Sequence, residues 1–228
     1  MQETDIEKRR YYALMILGIV LPFLLIVFLS AIFSSHDQSY VYRLVCSRFI
    51  IWAVLGLMFL YARHAEVQPF FLWPEEKYDF PFYFFSIIVL YLFAFAGGIL
   101  ANIPHWLGLH EKNEMLHKVI QLMKQYPVVL VFTVITAGIT EELIFRVYII
   151  TRLSLLFSNK VLPVIISAVL FSAIHLSYKS ISELIFSFCF GLMFGYHYQK
   201  YRNIKVLIFL HALWDLMATL IAIHHKAV

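Results

Sequence analysis

Charge is scarce in this chain. Asp, Glu, Lys and Arg make up 14% of its 228 residues and hydrophobic residues 62%, where a soluble domain carries about 25% charged and about 45–50% apolar residues. With a mean hydropathy of +0.80, this balance excludes an ordinary soluble domain and leaves an integral membrane protein. Cysteine is almost missing: Cys46 and Cys189 both fall in apolar runs, which excludes a disulfide framework. The formal net charge is only +4. It comes from loop lysines and arginines and gives no basic face for nucleic acid. No internal repeat, low-complexity segment or soluble domain interrupts the chain.

What is present is apolar sequence in long runs. About 20 apolar residues cross the hydrocarbon core as a helix. On that rule seven spans are expected: 12–33, 44–63, 80–101, 127–151, 161–179, 181–199 and 204–224. The expected fold is therefore an all-α, polytopic transmembrane bundle of seven spans, with eight as the alternative. Residues 1–228 form one membrane domain, with N-terminal spans over 12–101 and a polar-residue-bearing core over 127–224. The run from Tyr12 is too long for a signal-peptide core and is expected to be retained. Residues 106–125, WLGLHEKNEMLHKVIQLMKQ, alternate as an amphipathic helix and read as lying along the membrane surface. Ten basic residues, Arg152 among them, fall on the N-terminal side of the membrane and six on the other. The bias toward inside-facing basic loops predicts a cytoplasmic N-terminus.

The second half carries polar residues where lipid would penalise them. A charged side chain near the bilayer centre costs roughly 2.5–3.5 kcal/mol on insertion scales. Yet Glu141, Glu142 and Arg146 lie in the fourth span, His175 in the fifth, and His211 and Asp215 in the seventh. At about 1.5 Å rise per residue, Glu141, His175, His211 and Asp215 lie about 15, 21, 11 and 17 Å from the inner ends of their spans. They share one slab, so antiparallel neighbours can gather them into one cavity.

Spacing separates the two glutamates. Glu142 and Arg146 are four apart, on one helical face, with the acid N-terminal to the base. They are expected to neutralise each other. Glu141 is turned about 100° away and has no local partner. A carboxylate in that position suits a general base. His211 and Asp215 also share a face. Gly191 and Gly195, spaced GxxxG, allow close helix packing. Each cluster taken alone also reads as a structural contact, and intramembrane Glu and His can also serve ion transport. The three clusters at one depth favour an enzyme, and their confinement to the second half argues against a transporter built from two repeats.

In order, EELIFR (141–146), FSAIH (171–175) and HALWD (211–215) resemble the EExxxR, FxxxH and HxxxN/D motifs of the CPBP intramembrane proteases. That family includes the CAAX prenyl endopeptidases of the Ras-converting type and the bacterial Abi or self-immunity proteins. The resemblance covers residues 127–220. It implies peptide-bond hydrolysis in the membrane. Glu141 and His175 would activate water, His211 and Asp215 would stabilise the oxyanion, and Glu142 with Arg146 would hold the site in shape. The implied partner is a peptide or lipidated-protein substrate, and the implied location a bacterial cytoplasmic membrane. No cofactor is expected. An ionised Asp215 cannot donate to an oxyanion, which leaves zinc on Glu141, His175, His211 and Asp215 as the alternative. A non-catalytic immunity or scaffold protein is a further one.

Overall fold

The computed structural model describes residues 2–33, 39–109, 111 and 114–225. Among these, all regular structure is helical. The elements are α1 (Gln2–Phe33), α2 (Tyr40–His64), α3 (Phe80–Ala101), the single turn α4 (Ile103–Trp106), α5 (Glu114–Gln125) and α6 (Pro127–Glu142). A π-helical segment (Leu143–Ile150) runs on into α7 (Thr151–Leu156). Then come α8 (Val161–Ala173), a 3₁₀ turn (Ile174–Tyr178), α9 (Ile181–Tyr201) and α10 (Ile204–His225).

Among the described residues six helical stretches are long and apolar enough to cross a membrane: Asp5–Ile32, Tyr40–His64, Phe80–Trp106, Pro127–Leu156, Val161–Tyr178 and Ile204–His224. The protein is thus a multi-pass membrane bundle. The expected seventh span, 181–199, does form a helix in α9. Its Ser, Glu, Gly, His, Gln and Lys residues leave it too polar to join the six by composition. The surface helix also differs from its expected range. Only 114–125 continues as α5, and residues 107–109 lie outside any helix. α5 lays Met123 against Leu130 and Val134 of α6.

The stretch Pro127–Leu156 is the axis of the bundle. Of its most apolar window 61% is buried, against 17–28% in the other five. The core gathers around it: Val147, Tyr148 and Phe145 meet Val54 and Met58 of α2, Phe171 of α8, Phe190 and Phe194 of α9, and Leu207 and Leu210 of α10. Small residues let these helices close. A Cβ on Gly191 would stand 3.0 Å from Ala168 Cα, and one on Gly195 3.0 Å from Val164 Cγ1. That glycine pair is where α9 meets α8.

Polar joints fix the ends. Ser180 caps α9 by accepting from the Glu183 amide at 3.1 Å. Glu111 adds an anion at the same helix start, accepting from Ser180 Oγ and from the Ile181 amide, both at 2.6 Å. Partial burial works to raise the Glu111 pKa, but the hydrogen bonds from Ser180, Ile181 and Ser182 outweigh it and hold the carboxyl below its usual range. A negative charge at a helix N-terminus is also favoured by the helix dipole.

At the other end, the loop after α2 clasps the second half of the chain. Arg152 is fully buried there. It donates to Glu66 Oε2 from Nη2 at 2.9 Å, to the Phe70 carbonyl from Nη1 at 2.7 Å and to the Pro69 carbonyl from Nη2 at 2.9 Å. Arg152, one of the ten basic residues counted on the N-terminal side, is thus matched by Glu66 rather than free in a loop.

Candidate active site

Two local breaks in helix geometry shape the site. The first is the π-helical segment that begins right after Glu142. Such segments are rare and widen the turn locally. The second is the 3₁₀ turn that ends the fifth span. His175 sits in it, and the chain then turns at Lys179 with φ 54°. His175 Nδ1 donates to the Phe171 carbonyl at 2.9 Å. A carbonyl only accepts, so the proton is on Nδ1 and the neutral ring keeps its lone pair on Nε2.

The two glutamates have different surroundings. Glu142 is fully buried, with Oε2 3.1 Å from Arg146 Nε and Oε1 2.7 Å from His211 Nδ1. The Arg146 contact is an ion pair off the hydrogen-bond axis. Among the described residues its Nη1 and Nη2 have no hydrogen-bond acceptor. Its guanidinium lies over the Phe171 and Phe194 rings, 4.5 and 5.5 Å from their centroids, so the charge is met by aromatic faces as well as by Glu142. Glu141 turns the other way, onto the wall of a cavity of about 490 Å³. His175, His211 and Asp215 line the same cavity, and Glu142 and Arg146 do not.

His211 joins the two sides. Its Nδ1 is held by Glu142, and its Nε2 lies 3.8 Å from Glu141 Oε2 and 3.6 Å from Asp215 Oδ2. Phe190 packs edge-on to the imidazole at 5.1 Å. The close approach of α6 and α10 that permits this rests on Gly138. A Cβ there would lie 3.0 Å from the Ile208 carbonyl and 3.1 Å from Ala212 Cβ.

The sequence reading passed over several residues of this cavity. Gly138 is a lone glycine with no GxxxG partner, so its close approach to α10 leaves no spacing signal in the sequence. Glu183, near the start of α9, also lines the cavity. Arg48, inside the second span, also lines it. A basic residue within an apolar run was the available signal.

Among the described residues no three His, Cys, Asp or Glu side chains are grouped so as to hold a metal ion.

Residues 123–217 match the family model described as type II CAAX prenyl endopeptidase Rce1-like. That places the stretch carrying all three motifs in the CAAX protease family. The match spans α6 to α10 and every candidate site residue from Glu141 to Asp215. It supports a CAAX-type intramembrane protease, a hydrolase embedded in the bilayer. α1, α2 and α3 lie outside it. No curated protein and no solved structure matches the chain.

Proposed function

We propose that the protein is an intramembrane endopeptidase that uses Glu141 and His175 to activate water and His211 with Asp215 to receive the oxyanion. The observation that carries this is the shared cavity. Four polar side chains from α6, the 3₁₀ turn and α10 line it, while Glu142 and Arg146 brace it from behind. The His175 Nε2 lone pair and the Glu141 carboxylate hold a water between them. Glu141 takes one of its protons as the oxygen adds to the peptide carbonyl carbon. The C–N bond then breaks, and the proton passes from Glu141 to the leaving nitrogen. Glu142 accepts the Nδ1 proton of His211, and the Glu141, Glu142 and Asp215 carboxylates around the ring favour its imidazolium form, whose second proton, on Nε2, is aimed into the cavity for the oxyanion. The cavity also offers apolar wall, from Val119, Met123, Phe186 and Trp214 among others. That suits a prenylated or otherwise lipidated peptide. The N-terminus is proposed to face the cytoplasm.

The test is cleavage of a farnesylated peptide by purified protein in lipid vesicles, read by mass spectrometry. Glu141→Gln should give no product while the protein stays folded; product from that variant sinks the reading. Under metal-free chemistry Asp215→Asn keeps or raises turnover, because the amide is a permanent donor. Loss of activity in Asp215→Asn that added zinc restores would instead establish the zinc mechanism.

A further inference from the structure

The charged residues on the cavity wall are unequal in sign. Glu141, Glu183 and Asp215 supply carboxylates, and Arg48 is the one lysine or arginine among the described lining residues. Arg48 is not paired with any of them. Among the described residues no carboxylate lies within ion-pair distance of it, and its guanidinium makes one hydrogen bond, from Nε to Ser47 Oγ at 3.3 Å. Both Nη groups are left over, and these form the planar fork that matches a carboxylate.

Its height in the cavity can be estimated. α2 and α6 run side by side in the same direction. Phe49 meets Phe132 with ring centroids 5.4 Å apart, and Trp52 Nε1 donates to Thr136 Oγ1 at 3.1 Å. Arg48 and Trp52 are four apart on one face, so Arg48 stands level with residue 132. From 132 to 141 is nine residues, or about 13 Å at about 1.5 Å per residue. An extended peptide covers about 3.3–3.6 Å per residue. A chain held for cleavage at Glu141 therefore reaches Arg48 about three to four residues beyond the bond that breaks.

We propose that Arg48 is a specificity-determining residue that binds the free C-terminal carboxylate of the peptide substrate, at the end of the cavity away from Glu141. The proposal rests on the peptidase reading for its substrate, and it assigns a role to α2, which lies outside the family match. Asp215 acts on Arg48 only through its longer-range charge, and a terminal carboxylate supplies the direct partner that no described carboxylate gives. A chain continuing past this point, or ending in an amide, supplies none. Trp52 and Phe49 hold the turn that carries Arg48 against α6, so the fork is placed before the substrate arrives.

Binding can be measured apart from catalysis. The Glu141→Gln protein in phosphate-free detergent is titrated with a farnesylated peptide bearing three residues after the modified cysteine, as the free acid and as the carboxamide. The acid should bind at least tenfold more tightly. In Glu141→Gln/Arg48→Gln the two forms should bind alike, at the affinity the amide had before, which also shows that the cavity is intact. Arg48→Lys should keep part of the preference. Equal binding of acid and amide to the Glu141→Gln protein overturns the proposal, as does an equal loss for both forms on changing Arg48. A preference present in detergent but abolished in phospholipid vesicles makes Arg48 a ligand for lipid phosphate and also overturns it. If the unmodified protein hydrolyses neither peptide while the preference persists, the peptidase reading fails and the carboxylate site stands.

Discussion

At the residue scale, burial decides what a charged group can do. Glu142 and Arg146 are sealed in, and Glu142 is shared between Arg146 and His211. Glu142→Gln would leave Arg146 with no carboxylate contact and replace the acceptor at His211 Nδ1. Breaking a buried pair by removing one partner costs about 3–5 kcal/mol, so this variant should show a lower yield and melting temperature as well as lost turnover. Glu141→Gln should lose turnover alone. Thermal unfolding of both variants in detergent checks the contrast, and normal stability in Glu142→Gln with Arg146 still buried would defeat it. The distinction was legible in sequence, since Glu142 and Arg146 are four apart and Glu141 is not. The aromatic faces on Arg146 were not legible, because Phe194 comes from α9 and only tertiary packing brings it there.

Helices supply the next level of control, through how near they come and how their ends are tied. Most of the helix boundaries could be read from apolar run length, because the bilayer demands it. The π-helical segment and the 3₁₀ turn could not, since neither leaves a compositional trace in an apolar run. Gly138 marks the contact between α6 and α10. Gly138→Val would drive side-chain atoms into the Ile208 carbonyl and Ala212. Overpacking costs typically about 1–3 kcal/mol, and here it would also separate Glu141 from His211. Activity should fall by more than the loss of folded protein accounts for, measured as turnover per folded molecule. The start of α9 makes a pH prediction. The Glu111 pKa is held below its unfolded value, so its contribution is present above the ordinary carboxylate range, near about pH 4.3. It is lost as pH falls through the folded value. Amide exchange at Ile181 and Ser182, corrected for intrinsic rate, should therefore speed up below about pH 4. In Glu111→Gln the fast exchange should be present at all pH values.

At the scale of the whole molecule, the family-matched stretch is held to the rest of the chain by the loop after α2. Glu66 takes the Arg152 guanidinium on Oε2 and the Tyr148 hydroxyl on Oε1 at 2.5 Å. Farther along that loop, Glu75 accepts from the Ile204 amide, and the Glu76 carbonyl accepts from Asn203 Nδ2. Arg152 comes eleven residues after Glu141 in the same span, about 16 Å along the helix at about 1.5 Å per residue, so this clasp bears on assembly and not on chemistry. Glu66→Ala strands a fully buried guanidinium, and the loss of stability should again be about 3–5 kcal/mol. Turnover of the molecules that remain folded at low temperature should stay near the parent value. Buried pairs can often be replaced by apolar residues at little cost, which makes Glu66→Leu/Arg152→Met informative. Arg152 also serves the Phe70 and Pro69 carbonyls, and methionine cannot donate to them. The double variant should therefore recover only part of the stability that Glu66→Ala loses. Recovery to the parent melting temperature would show that the two carbonyl contacts contribute nothing and that apolar packing replaces the ion pair without loss.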